Sequence, residues 1–301
     1  MQSNRYLHPN EGKNSVFRLL LVFIIAEVSY VVLPIITIML YLLFTHGPQQ
    51  TRIFFESDDE NLAMLTPFTG HVLLHVSLII SFLIIWLSVK LILKRSLTSV
   101  FTPNVRMNWK LIFRSFFVFC GLGLLSILID VLFLHDTYQF KSFNAPLFFS
   151  FMVISVLLVP IQTTIEEFSF RGILVQLLSK KLKSAILISI MIGFLFGVLH
   201  FISIEFSLVF FIHLLDIVFV GFMLTYLSVK LGTSEFALAA HAANNMMLTL
   251  FIDTGEGLPS LVQSVASDKP LLESIVSLSC SILMFGLYYA WASKQNIQLR
   301  D

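Results

Sequence analysis

Glu166, Glu167 and Arg171 stand together in an otherwise apolar stretch, and His200, His241 and Asn245 follow further along the chain. Carboxylate, imidazole and amide are the groups that hydrolysis of an amide bond demands: a base to activate water, donors for the oxyanion and an acid for the leaving amine. Glu166 is the candidate base, because a carboxylate withdrawn from water holds a proton more readily. His200 would hold the same water or shuttle its proton, and His241 with the Asn245 amide would donate to the developing oxyanion. Glu166, His200 and His241 would also supply one oxygen and two nitrogens, the donor set of a catalytic zinc with one open position. HExxH is absent, and a metal-free site is favoured over zinc: an amide one turn beyond His241 has a part as a donor but is a poor zinc ligand.

Spacing suggests how these groups pair. Glu167 and Arg171 are i,i+4, acid first, the favourable order for an ion pair on a helix. Glu166 lies about 100° around the same helix, has no cation there, and must point at something else. His241 and Asn245 are also i,i+4 and share a face. Glu166 lies 14 residues before Lys180 and His200 17 residues after Lys183. At about 1.5 Å per residue both sit roughly 21–26 Å from the basic loop they share, so they are level.

The elements that position them are membrane spans. Hydrophobic residues make up 57% of the chain, charged residues 12%, and mean hydropathy is +0.89, far from a soluble composition. A helix crossing about 30 Å of hydrocarbon needs roughly 20 apolar residues. That ruler predicts an all-α polytopic membrane protein, a bundle of about eight transmembrane helices near 17–44, 69–93, 111–134, 147–178, 184–204, 206–229, 234–252 and 271–293. The fourth should run unbroken through Glu166 and Glu167, kinked but not ended by Pro160. With the N-terminus inside, Lys and Arg gather on the inner segments and only Arg52, Lys141 and Lys269 fall outside. Outer loops collect Glu56, Asp58, Asp59, Glu60, Asp136, Asp253, Glu256, Asp268 and Glu273. Both termini are therefore expected to be cytoplasmic. The first apolar run is too long for a signal-peptide core. Cys120 and Cys280 lie inside apolar runs with no metal-type spacing, and a net charge of +1 gives no footing for a nucleic-acid partner.

The string EEFSFRG carries the EExxxR pattern in Glu166, Glu167 and Arg171; FGVLH carries FxxxH in Phe196 and His200; and a glycine-containing helix followed by HAANN carries HxxxN in His241 and Asn245. In this order, on consecutive spans, they resemble the CAAX-protease/Abi (CPBP) family of intramembrane peptidases. The resemblance covers about residues 145–250. It implies residues 145–252 as a catalytic core of helices 4–7, flanked by N-terminal spans in 1–144 and an outer loop and last helix in 253–301. It also implies Glu166, His200, His241 and Asn245 as catalytic, Glu167 and Arg171 as support for the first glutamate, and Phe196 packing against His200. The family is often labelled metalloprotease, which is the source of the zinc alternative; no cofactor is favoured. The implied partners are the lipid bilayer and a membrane-associated peptide or protein substrate, in a bacterial cell membrane. Its eukaryotic branch suggests CAAX processing, its bacterial branch peptide maturation, bacteriocin immunity or membrane-protein processing.

The rival reading is a non-proteolytic binding, immunity or transporter-like protein using the same polar cavity; a transporter would show paired broken helices in two related halves, and none is visible. Other ionisable groups within the spans have bland readings. Glu27 and Asp130 read as interhelical hydrogen-bonding partners, His71 and His75 as groups reaching the interface, and His213 with Asp216 as a self-satisfied i,i+3 patch or the arm of a triad. Asn244 joins Asn245 as a buried amide.

Overall fold

A computed structural model describes residues 5–56, 64–134, 137–201, 206–253, 257–265 and 268–295. Asp58, Asp59, Glu60, Asp136 and Glu256 of the outer loops, and Arg300, lie outside the described residues. The helices, in chain order, are α1 (Val16–Glu56), α2 (Pro67–Ser88), α3 (Thr98–Phe101), α4 (Trp109–Phe133), α5 (Ala145–Glu167), α6 (Val175–Ser179), α7 (Ala185–Leu199), α8 (Leu208–Leu231), α9 (Glu235–Phe251) and α10 (Pro270–Ala292). α2 passes into a π-helical turn over Val89–Leu93. α5 passes through a π-helical segment, Phe168–Leu174, into α6. The chain is thus an all-α polytopic membrane protein. Six helical stretches are long and apolar enough to cross a membrane, while Ala185–Leu199 is a shorter apolar helix of 15 residues and α9 has 17.

Polar side chains start the helices. Asn108, Asn144, Ser184 and Ser207 each accept a backbone N–H three residues on, satisfying a donor the first turn leaves free. Pro160 lies inside α5 without ending it, as expected. The first span, expected to end near 44, leaves the helical conformation at Gly47 (φ +80°, ψ 171°), and a second helical stretch within α1 runs on to Glu56. One boundary differs from the sequence reading. The fifth span, read as 184–204, ends its helix at Leu199, and residues 202–205 lie outside the described residues.

The outward faces are apolar: Phe44, Leu83, Phe117, Leu157 and Phe194 are exposed, the arrangement lipid favours and water penalises. Between helices, close approach comes from small residues. A Cβ on Gly193 of α7 would meet the Phe222 amide nitrogen and the Val218 carbonyl of α8 at 2.7 Å, and one on Gly221 would meet the Gly193 Cα at 3.0 Å. Backbone cannot yield to such contacts, so glycine at both places is what lets α7 and α8 touch.

Two features cap the bundle. On one side the connections between α4 and α5 and between α9 and α10 form a small sheet, order β1 (Tyr138–Phe140), β3 (Val262–Ser264), β2 (Ile252–Asp253), antiparallel then parallel. Lys141 pairs with buried Asp253 there at 2.5 Å. On the other side the N-terminal segment straps the ends of α2 and the α5–α6 helix. The Lys13 amide bonds to the Leu93 carbonyl, the Glu11 carboxylate accepts from the backbone and hydroxyl of Ser96, and fully buried Tyr6 donates to the Arg171 carbonyl.

Candidate active site

Glu167 and Arg171, on consecutive turns of the α5–α6 helix, form the expected ion pair at 2.9 Å with neither side chain exposed. Arg171 also donates to the Gly221 carbonyl at 3.2 Å, a contact that the close α7–α8 packing makes reachable. Its guanidinium lies over the Phe196 ring, 4.6 Å from the centroid, adding cation–π attraction in a desolvated setting. The π-helical segment that holds Arg171 is the kind of local widening that recurs at functional sites.

Glu167 does more than neutralise Arg171. Its Oε1 also accepts from His241 Nδ1 at 2.7 Å. A carboxylate can only accept, so Nδ1 carries a proton, and the lone pair or second proton of His241 sits at Nε2. That nitrogen faces Glu166 Oε2 at 3.6 Å, beyond a direct hydrogen bond but within reach of one shared water. Glu166 finds its remaining partners on other turns and helices. Tyr30 of α1 donates to Oε1 at 2.7 Å, and the Gln162 amide, one turn earlier on α5, approaches the same oxygen at 3.3 Å. His75 Nε2 in turn contacts Gln162 Oε1 at 3.2 Å.

His200 caps the C-terminal end of α7. Its Nδ1 donates to the Phe196 carbonyl at 2.7 Å and its ring lies 4.3 Å from that of Phe196, leaving Nε2 as the free nitrogen. Glu166, His200, His241, Asn244 and Asn245 all line one cavity of about 760 Å³, together with Glu27, Tyr30 and Gln162. Glu167 and Arg171 stand behind it and Phe196 forms part of its wall.

Glu166, His200 and His241 do not fit a zinc ion in this arrangement. Among the described residues no three His, Cys, Asp or Glu side chains come close enough together to hold a metal, so Glu166, His200 and His241 do not converge on one point, although Nδ1 of each histidine is held by a partner that leaves Nε2 turned outward.

Other readings are revised. His75 does not reach the interface: it is 3% exposed and bonded into the Gln162 network, while the His71 ring lies tilted against it, 4.2 Å between centroids, and contacts Ser155. His213 and Asp216 do not satisfy each other; His213 Nε2 meets Ser274 at 3.0 Å and Asp216 accepts from Ser277 at 2.7 Å, both on α10. Tyr30 and Gln162 were not singled out from sequence. Gln162 is i−4 to Glu166 and that spacing was available; Tyr30 is a lone aromatic on a distant helix with no local signal.

A helical membrane protein that keeps an acid–histidine–amide cluster on one internal cavity belongs to the class of intramembrane enzymes and carriers rather than to inert anchors. Residues 145–247 match the family described as Rce1-like, type II CAAX prenyl endopeptidase Rce1-like, and the chain belongs to that family, one of intramembrane endopeptidases. Over its length it is similar to YyaK, an uncharacterized protein of Bacillus subtilis (strain 168), with 34% identity over 301 residues covering 98% of this chain and 99% of the relative. No solved structure matches it.

Proposed function

We propose that the chain is an intramembrane endopeptidase that hydrolyses a peptide bond of a membrane-associated peptide or protein with a glutamate-activated water. The observation that carries this is the facing of Glu166 Oε2 and His241 Nε2 across 3.6 Å at the cavity wall, with each group's other polar atom held by a separate partner. Glu166 takes the proton of a water lying between them and attack on the scissile carbonyl follows. Glu167 holds the His241 ring in one orientation through Nδ1, as a buried carboxylate orients a histidine base; with a proton on Nε2, His241 and the Asn245 amide donate to the oxyanion. His200 Nε2 takes the water's proton from Glu166 and passes it to the leaving amine as the tetrahedral intermediate collapses and the C–N bond breaks. Residues 145–252 form the catalytic core, the spans of 1–144 and the segment 253–301 enclose it, and both termini face the cytoplasm of a bacterial cell.

The test compares two substitutions in cells that express a processed substrate of the protein. Glu166→Gln is expected to abolish cleavage while protein levels stay normal. Arg171→Ala is expected to lower both, because removing one member of a buried ion pair costs about 3–5 kcal/mol. A fully active Glu166→Gln protein would remove the general-base role.

A further inference from the structure

The cavity is acidic beyond what amide hydrolysis uses. Four carboxylates line it, Glu27, Asp130, Glu166 and Asp216, and among its described lining residues there is no Lys or Arg. Asp130 of α4 and Asp216 of α8 meet the same turn of α10: Cys280 lies 3.9 Å from Asp130 Oδ1, and Ser277, three residues earlier, donates to Asp216. Hydrogen bonding accounts for only half of Asp216. Ser277 donates to Oδ2, whereas Oδ1 is buried with no hydrogen-bond partner, in a residue only 8% exposed. The cations that could have answered are engaged elsewhere: Arg171 with Glu167, and His213, one turn before Asp216, with Ser274. Two neighbouring carboxylates withdrawn from water are costly unless a positive group joins them or one takes up a proton.

We propose that Asp130 and Asp216, with the Ser277 hydroxyl, form a subsite for a Lys or Arg side chain of the substrate, so that the protein selects apolar peptides carrying a basic residue. The inference rests on reading the cavity as the peptide-binding site. Its volume of about 760 Å³ is in the range of pockets that enclose small ligands, enough for a few residues of an extended chain. A cation delivered by the substrate supplies the missing partner of Asp216 and discriminates sharply, because an acidic residue there would face like charge.

Binding and cleavage are measured separately, with the full chain in lipid nanodiscs. The probes are fluorescent apolar peptides identical except for one Lys, Gln or Glu walked along the sequence. At one position the Lys peptide is expected to bind roughly tenfold tighter than the Gln peptide, about 1.4 kcal/mol, and the Glu peptide weakest. Asp216→Asn and Asp130→Asn should each bring the Lys peptide to the affinity of the Gln peptide measured on the same variant, and Asp130→Lys should turn the preference toward Glu. Asp216 also ties α8 to α10, so if Asp216→Asn fails to fold, the two Asp130 variants carry the test. Equal binding of all three peptides, no binding of any, or a Lys advantage that survives the Asp130 variants overturns the subsite. A Lys advantage with no hydrolysis keeps the subsite and removes the peptidase; hydrolysis without any charge preference does the reverse.

Discussion

Glu166 is held by atoms from two helices, and only one of them lies in the segment that carries the motifs. Tyr30 donates to the oxygen that Gln162 also approaches, which leaves Oε2 as the oxygen turned toward His241. Tyr30→Phe removes one hydrogen bond to a charged group, a loss of about 1.5–3 kcal/mol. Steady-state kinetics should then show kcat reduced roughly 10–100-fold with KM little changed and protein levels normal; a rise in KM alone would move Tyr30 to substrate binding. Asn245 tests the oxyanion. Asn245→Ala is expected to cost roughly 10²–10³ in turnover, and elemental analysis of an active preparation is expected to find little metal and tolerance of chelators. One metal per chain, with activity lost to chelation and restored by zinc, would reverse that assignment. The Glu167–Arg171 pair was legible in the sequence because acid and base stand at helical spacing; the bond from His241, on another helix, to Glu167 was not. Tyr30 was not, since a single hydroxyl on a remote apolar helix makes no pattern until the bundle closes. His75 misled for the opposite reason: nearness to a span's end suggested water, while Gln162 was there to receive it.

At the scale of elements, helix starts were easier to read than helix ends. Asn108, Asn144, Ser184 and Ser207 stand just before apolar runs, and each caps the helix that follows. Ends depend on what the chain meets next. The first span ends close to the expected residue 44, because Gly47 leaves the helical conformation, and a second helical stretch then runs to Glu56, which hydropathy did not show. Hydropathy extended the fifth span through His200, but α7 ends at Leu199, where the His200 ring turns to its own helix's Phe196 carbonyl. The widening of the α5 backbone into a π-helical segment at Phe168–Leu174 was invisible, because the same apolar residues suit either helix. Its consequence is functional: it lies directly after the glutamate pair and carries Arg171 toward α8.

For the whole molecule, orientation follows from the distribution of Lys and Arg. Reporter fusions placed after Glu60 and after Arg300 are expected to lie in opposite compartments, the first outside and the second in the cytoplasm; the same compartment for both would overturn the eight-span arrangement with both ends inside. The two helices that bring His200 and His241 to the cavity are also the shortest of the long set, 15 and 17 residues, or roughly 22 and 26 Å at about 1.5 Å per residue. A bilayer core of about 30 Å overhangs both, and such mismatch is relieved by thinning the membrane locally. α9 is enclosed by other helices, so the response is expected at α7, whose Phe194 and Leu199 face outward: a bilayer pinched inward there shortens the path for water to a bond that needs hydrolysing and weakens the hold of lipid on a peptide embedded nearby. Acyl-chain length becomes a rheostat: reconstituted in progressively thicker bilayers, the protein should pay increasingly for the dimple and turn over more slowly, with its fold unchanged by circular dichroism.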